Sequence, residues 1–341
     1  MTLRSRARRR TRGALALLAG ATLALTACSA GAGADTAAES SGDGTGAATD
    51  SGQWPRTIEH AAGETEIPAK PTTIVSTSIT LTGTLLAIGA PVVASAATTP
   101  GPLTDEHGFF SQWSDEAAAQ DVQVLYPDLE LDLEAVDALA PDLIIGSSIG
   151  QDATAEAYDQ LSEIAPTVML DYGSNSWEEL ATTLGEATGL EDEAAATVQD
   201  FENYVSSAAD KIQVPDGPVT ALTYNGADGG RMFTESSAQA TILTGLGFDY
   251  QEGPEELAAQ TRSDVSTYTA ENLPAALEGA QVAFLVAADD EDAAAMKADS
   301  LLANTTAVSS GSVLPLGPTS FRIDYYSGKQ MVDAVVAEYR K

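Results

Sequence analysis

Residues 190–214, "LEDEAAATVQDFENYVSSAADKIQV", decide the architecture of this 341-residue chain. Apolar side chains recur at Leu190, Ala194, Val198, Phe201, Val205, Ala208 and Ile212, the spacing of one helical face. At about 1.5 Å per residue the segment spans about 30–35 Å. It stops at "PDGP" (215–218), where prolines and a glycine break a helix. On both sides short apolar runs alternate with helical patterns. Before it stand "TIVST" (73–77), "PVVASA" (91–96), "DLIIGSS" (142–148) and "TVMLDY" (167–172). Helical sequence lies between them at "LTGTLLAIG" and around Tyr158 and Leu161; "SWEELATTLGEATG" follows, with Ser176 and Glu179 at capping-box spacing. After it come "VTALTYN" (219–225), "QVAFLVAA" (281–288) and "SVLPLG" (312–317), each followed by helix-like sequence. Such alternation predicts parallel-sheet α/β packing in both halves. The long helix is either a core helix of one large domain or a rigid connector, and two similar halves favour the connector. The expected fold is therefore α/β, two α/β lobes joined by a single long α-helix. The N-terminal lobe covers 54–187, the helix 188–214 and the C-terminal lobe 215–341, with a largely preformed cleft between lobes.

The N-terminus reads as an export signal. Six arginines within the first twelve residues precede the apolar "GALALLAGATLALTA" (13–27), too short and wrongly flanked for a membrane span. "LTAC" then ends on Cys28, the only cysteine, so the fold holds no internal disulfide. Residues 1–27 are expected to be a lipoprotein signal peptide and Cys28 the lipidated residue; the alternative is a soluble exported protein with a stray thiol. Residues 28–53, almost all Ser, Gly, Ala, Thr and Asp after the cysteine, read as a flexible tether with a reach of roughly 25–30 Å. The expected location is outside the cell membrane, anchored to its outer face.

Charge narrows the partners. The chain has 50 acidic and 16 basic residues, a formal charge of −34. Loss of residues 1–27 removes six positive and no negative charges. This excludes nucleic acid as a partner and disfavours docking on anionic lipid. It also makes each remaining basic side chain informative, Arg322 in "TSFRIDYYS" (319–327) above all. Enzyme signatures are scarce. His60 and His107 stand apart, "GADGGR" (226–231) lacks the lysine and spacing of a phosphate loop, and acidic pairs such as Asp289–Asp290 read as solvated faces. The expectation is a non-enzyme with no metal-ligating residues; a surface lipoprotein hydrolase is the alternative of another class.

Particular blocks carry a resemblance. "IVSTSITLTGTLLAIGAPVVASAATTP" (74–100), "GFFSQW" (108–113), "YDQLSEIAPT" (158–167), "FTESSAQ" (233–239) and "TSFRIDYYS" are similar to the siderophore-binding, helix-linked solute-binding lipoproteins of ABC importers. The ferric-enterobactin branch is the nearest in pattern. The resemblance implies a monomer that binds a ferric siderophore, a catecholate type being favoured, and delivers it to an ABC permease and its ATPase subunits. It implies no cofactor, iron entering only inside the ligand.

On the family's ligand-contact blocks fall Arg231, Phe233, Arg262 and Arg322 from the C-lobe, and more weakly Ser76, Ser78 and Phe109 from the N-lobe. A tricatecholate needs guanidinium groups, which neutralise charge and stack on π faces, beside aromatic walls. The alternative for Arg322 is an ion pair with Asp324 or another carboxylate. Glu134 in "LEAVDALAPDL" and Glu271 in "TAENLPAAL" match the family's permease-docking glutamates; both are expected early in helices, where the helix dipole alone would favour an acid. Where the family carries basic residues, this chain has Pro102, Leu103, Thr104 and Ser111. That loss leaves room for a mixed or hydroxamate siderophore, and within the binding class the alternative is another large chelate such as haem or a corrinoid.

Overall fold

The computed structural model describes residues 54–341. The signal peptide, the Cys28 lipidation site and the tether expected over 1–53 lie outside the described residues. Among the described residues no helix is long and apolar enough to cross a membrane.

A hairpin opens this part of the chain, β1 (Arg56–His60) and β2 (Gly63–Ile67). The N-terminal half then runs β3 (Ile74–Ser76), α1 (Ile79–Ala87), β4 (Val92–Ser95), α2 (Ser114–Ala119), β5 (Gln123–Val124), α3 (Leu133–Ala138), β6 (Leu143–Ser147), α4 (Tyr158–Ile164) and β7 (Thr167–Leu170). Its five strands form an all-parallel sheet in the order β5-β4-β3-β6-β7. All of β3 and β6 is buried, as expected of central parallel strands covered on both faces. The strand order reverses between β3 and β6, so the crevice beyond their carboxyl ends is the topological switch point where open α/β sheets bind ligands.

Two helices follow, α5 (Trp177–Thr188) and α6 (Glu191–Ala209). Ser176 and Glu179 form the reciprocal capping box anticipated from sequence, and Gly189 ends α5 in the left-handed region at φ 69°. Only two residues separate the helices. The segment 190–214 is thus helical over nineteen residues, with Ala194, Phe201, Val205 and Ala208 as its buried face. Beyond the helix Ile212 is also buried, in an isolated bridge to Arg340.

The C-terminal half runs β8 (Pro218–Tyr224), β9 (Gly230–Phe233), α7 (Ala238–Gly245), β10 (Asp249–Tyr250), β11 (Gln260–Thr261), β12 (Val265–Tyr268), α8 (Leu273–Ala276), β13 (Val282–Leu285), α9 (Asp290–Ala298), α10 (Thr306–Ser309), β14 (Val313–Pro315) and α11 (Tyr325–Tyr339). The sheet order is β11-β12-β9-β8-β13-β14, with β10 also on β8. Here the sheet is mixed rather than purely parallel. β8, β13, β14 and β10 are parallel, but β9, β12 and β11 are added by antiparallel pairing. The physical reason is the turn Gly226–Gly229: with Gly226 at φ 59° and Gly229 at φ 83°, the chain folds straight back as a hairpin instead of entering a helix.

The seam between the halves is more than one helix. A continuous apolar core includes residues of both sheets, α1, α5, α6, α7 and α11. Phe201 of α6 meets Trp177 of α5 edge-on at 5.1 Å between ring centroids and lies against Gly328 of α11. On the outer side Lys329 sits 4.6 Å from the ring centroids of both Tyr204 and Tyr325 while donating to Asp200, so α6 and α11 are also tied by a cation held between two phenols.

Candidate functional site

At the switch point the end of β3 turns into α1, and the first turn of that helix leaves backbone N–H groups without intrahelical partners. Ser78 holds the N-cap position, but its side chain makes no capping bond. The cap comes instead from Asp152, in the loop after β6. Its Oδ2 accepts from Ser78 Oγ at 2.6 Å and from Thr80 N at 3.0 Å, while Oδ1 accepts from Tyr172 OH at 2.7 Å. Asp152 is only 5 % exposed, and three donors plus the positive end of α1 offset the cost of burying its charge. The same carboxylate fixes the Tyr172 ring just beyond β7. Burial and then the Asp152 charge push the Tyr172 phenol up to about 12, so it stays a proton donor at any physiological pH.

From the other half, the loop between β14 and α11 brings Phe321 and Arg322 to the same place. The Arg322 guanidinium lies 4.4 Å from the Tyr172 ring centroid and 5.8 Å from that of Phe321. Among the described residues no carboxylate lies within ion-pair distance of Arg322. The loop is held from behind: Gln239, buried on α7, donates to the carbonyls of Ser320 and Phe321 at 2.7 and 3.0 Å, and Ser320 Oγ accepts from Ala287 N. Phe321 remains 40 % exposed, a large apolar ring open beside a cation.

The ion pair of Arg322 with Asp324, weighed as the alternative, does not form. Asp324 is the N-cap of α11, in a capping box with Ser327, whose N and Oγ donate to Oδ1 at 2.8 and 2.9 Å. It is buried against Gly83 of α1, where even a Cβ would come within 2.7 Å of Oδ2. Burial raises its carboxyl above the ordinary carboxylate value, outweighing the Ser327 hydrogen bonds that lower it. A raised acid favours the protonated fold, so this group stabilises most at acid pH and loses that contribution as pH rises through its folded value. Asp324→Asn keeps an accepting oxygen for the cap and never ionises. Its stability relative to wild type is therefore expected to improve between pH 4 and pH 7 in urea unfolding; an unchanged or declining difference would overturn the assignment.

The remaining expected contacts divide. Phe233 is buried on β9 and meets Phe321 in a T-shaped pair at 6.2 Å. Arg231, two residues earlier on the same face of β9, is exposed, with Thr223 and Thr267 as its strand partners. Arg262 lies in the β11–β12 turn with its N–H on Val265, the residue paired with Phe233. Its guanidinium, however, is forked onto Asp264 at 2.7–3.0 Å. The N-lobe candidates need correction. Ser76 and Ser78 are fully buried: Ser76 donates to Ser78 O and accepts from Thr82, and Ser78 serves Asp152. Both hydroxyls are turned inward onto protein partners. Phe109 is likewise buried, packed on Trp113 at 5.3 Å. Sequence reasoning missed Tyr172, Asp152, Phe321 and Gln239 as site residues. Phe321 was legible as the aromatic beside Arg322, whereas Asp152 and Ser78 are 74 positions apart and nothing local joins them.

Glu134 is exposed in the first turn of α3, where Asp132 supplies the cap. Glu271 is exposed too, but in the turn before α8 rather than in the helix, because α8 is a single turn beginning at Leu273.

The chain is similar to known proteins over most of its length. The chain is 43 % identical over 297 residues to the ferric enterobactin-binding periplasmic protein FepB of Escherichia coli O6:H1, covering 85 % of this chain and 93 % of FepB. It is 29 % identical over 224 residues to the probable siderophore-binding lipoprotein YfiY of Bacillus subtilis, covering 64 % of this chain and 65 % of YfiY. The crystal structure of holo-ViuP superposes with a TM-score of 0.77 at 36 % identity, over 85 % of this chain and 97 % of ViuP. Residues 74–319 match the periplasmic binding protein family, and with a relative this similar over nearly its whole length the chain belongs to that family.

Proposed function

We propose that the protein is the extracytoplasmic solute-binding component of an ABC importer and carries a ferric siderophore, a catecholate such as ferric enterobactin being favoured, in the crevice at the switch point. The observation that carries this reading is Arg322: a guanidinium without a carboxylate partner, between Tyr172 and the exposed Phe321, in a chain with a large excess of acid. The relationship to FepB supports the same ligand class. A cation over aromatic faces suits a trianionic tricatecholate, whose rings offer both charge and π surface. The negative surface does not forbid it, since screening acts over roughly 8 Å at physiological ionic strength. Iron is cargo, held by the siderophore, and the protein needs no resident cofactor. ATP is hydrolysed by the partner.

The N-terminal half argues for the second reading, a hydroxamate ligand. Over 54–187 the only Lys or Arg residues are Arg56 and Lys70, and Arg56 is paired with Glu191. All positive charge at the crevice therefore comes from the C-terminal half. Calorimetric titration with ferric enterobactin and with ferrichrome separates the readings. Tight binding of the first alone supports the catecholate; ferrichrome alone replaces it; binding of neither removes the siderophore assignment.

Delivery would use Glu134 and Glu271 as carboxylates offered to permease arginines. Glu130, Asp132 and Glu134 line a surface groove of about 630 Å³ that suits such a contact. Replacing both glutamates by alanine is expected to abolish iron uptake in cells where this chain is the sole binding protein, with calorimetric ligand affinity unchanged. Full uptake by the double variant would overturn the docking role and leave Glu134 only its favourable place in the first turn of α3. Export, with Cys28 lipidated and residues 28–53 as tether, completes the proposal; radiolabelled palmitate should enter the wild type and not Cys28→Ser.

A further inference from the structure

An exposed arginine in so acidic a chain has many carboxylates on which it could collapse. Of the ten Lys and Arg side chains among the described residues three do so, Arg56 with Glu191, Arg262 with Asp264 and Lys329 with Asp200, and seven, Arg322 among them, do not. Arg322 is spared by two local devices. The nearest acid in sequence, Asp324, is withdrawn into the α11 cap. The guanidinium is given a neutral perch instead, the Tyr172 ring, from the opposite half of the molecule. That ring is held at its far end by the buried Asp152, itself clamped by Ser78 and Thr80.

We propose that Tyr172, positioned by Asp152, is a specificity-determining residue that keeps the Arg322 guanidinium free of protein carboxylates and oriented for an anionic aromatic ligand. The inference rests on the proposed function for the identity of that ligand, but not for the pair itself. The chemistry is graded suitably. A cation over a phenol is attracted weakly enough to be shared with an incoming anion, whereas a bidentate carboxylate would have to be broken first. The hydrogen bond from the phenol to a carboxylate enriches the ring in electron density and strengthens its hold on the cation. A neutral hydroxamate complex gains nothing from the arrangement, so Tyr172 selects for charge as well as for aromatic shape.

The test has two parts on the full chain. In nitrogen-15 spectra of the ligand-free protein, the Arg322 Nε–H resonance is expected upfield under the Tyr172 ring. Tyr172→Leu should return it to its ordinary position, while Tyr172→Phe, which keeps a ring without its anchor, should retain part of the shift. Gallium(III) enterobactin, the diamagnetic counterpart of the ferric complex, should then bind Tyr172→Leu about fivefold to tenfold more weakly than wild type. Tyr172→Phe should recover most of that loss, and ferrichrome affinity should not follow it. An Arg322 resonance identical in wild type and Tyr172→Leu overturns the pair. Equal losses for both ligands overturn the selectivity and reduce Tyr172 to a packing role. If wild type binds neither probe, the siderophore reading falls and the resonance alone decides the pair.

Discussion

Phe201→Ala is expected to lower the unfolding free energy by about 3–5 kcal/mol, the usual cost of truncating a buried aromatic whose surroundings cannot collapse. The site has little freedom to relax. Phe201 is 4 % exposed, at the junction of three helices, against Trp177 of α5 and Gly328 of α11. Gly328 has no side chain because there is no room for one: a Cβ there would meet Phe201 Cε2 and Cζ at 2.8 Å. Gly328→Ala should therefore destabilise, reversing the gain of about 1 kcal/mol that the same change brings in an open helix. Urea unfolding measures both. A loss under about 1 kcal/mol for Phe201→Ala would mean that the seam between the halves is loose, and the crevice correspondingly less preformed.

Arg322→Glu is expected to cost at least two orders of magnitude in affinity for ferric enterobactin. A charge-assisted contact contributes about 1.5–3 kcal/mol, and reversal adds repulsion from the trianion. Arg322→Lys, which keeps the charge but loses the planar stack on Tyr172, should fall between, at about tenfold. Neither substitution touches the core, because the side chain is exposed and Gln239 holds the loop through backbone carbonyls. Thermal midpoints near wild type should accompany the loss. Undiminished binding by Arg322→Glu would move the ligand elsewhere, with Arg231 the next exposed cation to test.

Local signals were strong enough to write much of the fold. The period of 190–214, the Ser176–Glu179 capping box and the apolar runs of β3, β4, β6 and β7 each depend on residues a few positions apart, and each recurs in the structure. The hairpin β1–β2 and the antiparallel pairing of β9 with β12 were less legible. Their pairing depends on glycine turns and on partners up to 38 positions away, such as Phe233 and Val265 or Gly230 and Tyr268.

By itself the sequence determined the α/β class of the fold, the long helix, the scarcity of positive charge and the singling out of Arg322. Those are properties of composition and short-range periodicity, carried by each segment wherever it folds. Only the tertiary structure decided what surrounds that arginine. It withdrew Asp324 into a helix cap, turned Ser76, Ser78 and Phe109 inward, and committed Arg262 to Asp264. It also set Tyr172 under the guanidinium with Asp152 behind it. The reason is physical: burial and the pairing of charges depend on which strand ends meet at the switch point, and residues 152, 172 and 322 acquire their chemistry only when two sheets bring them together.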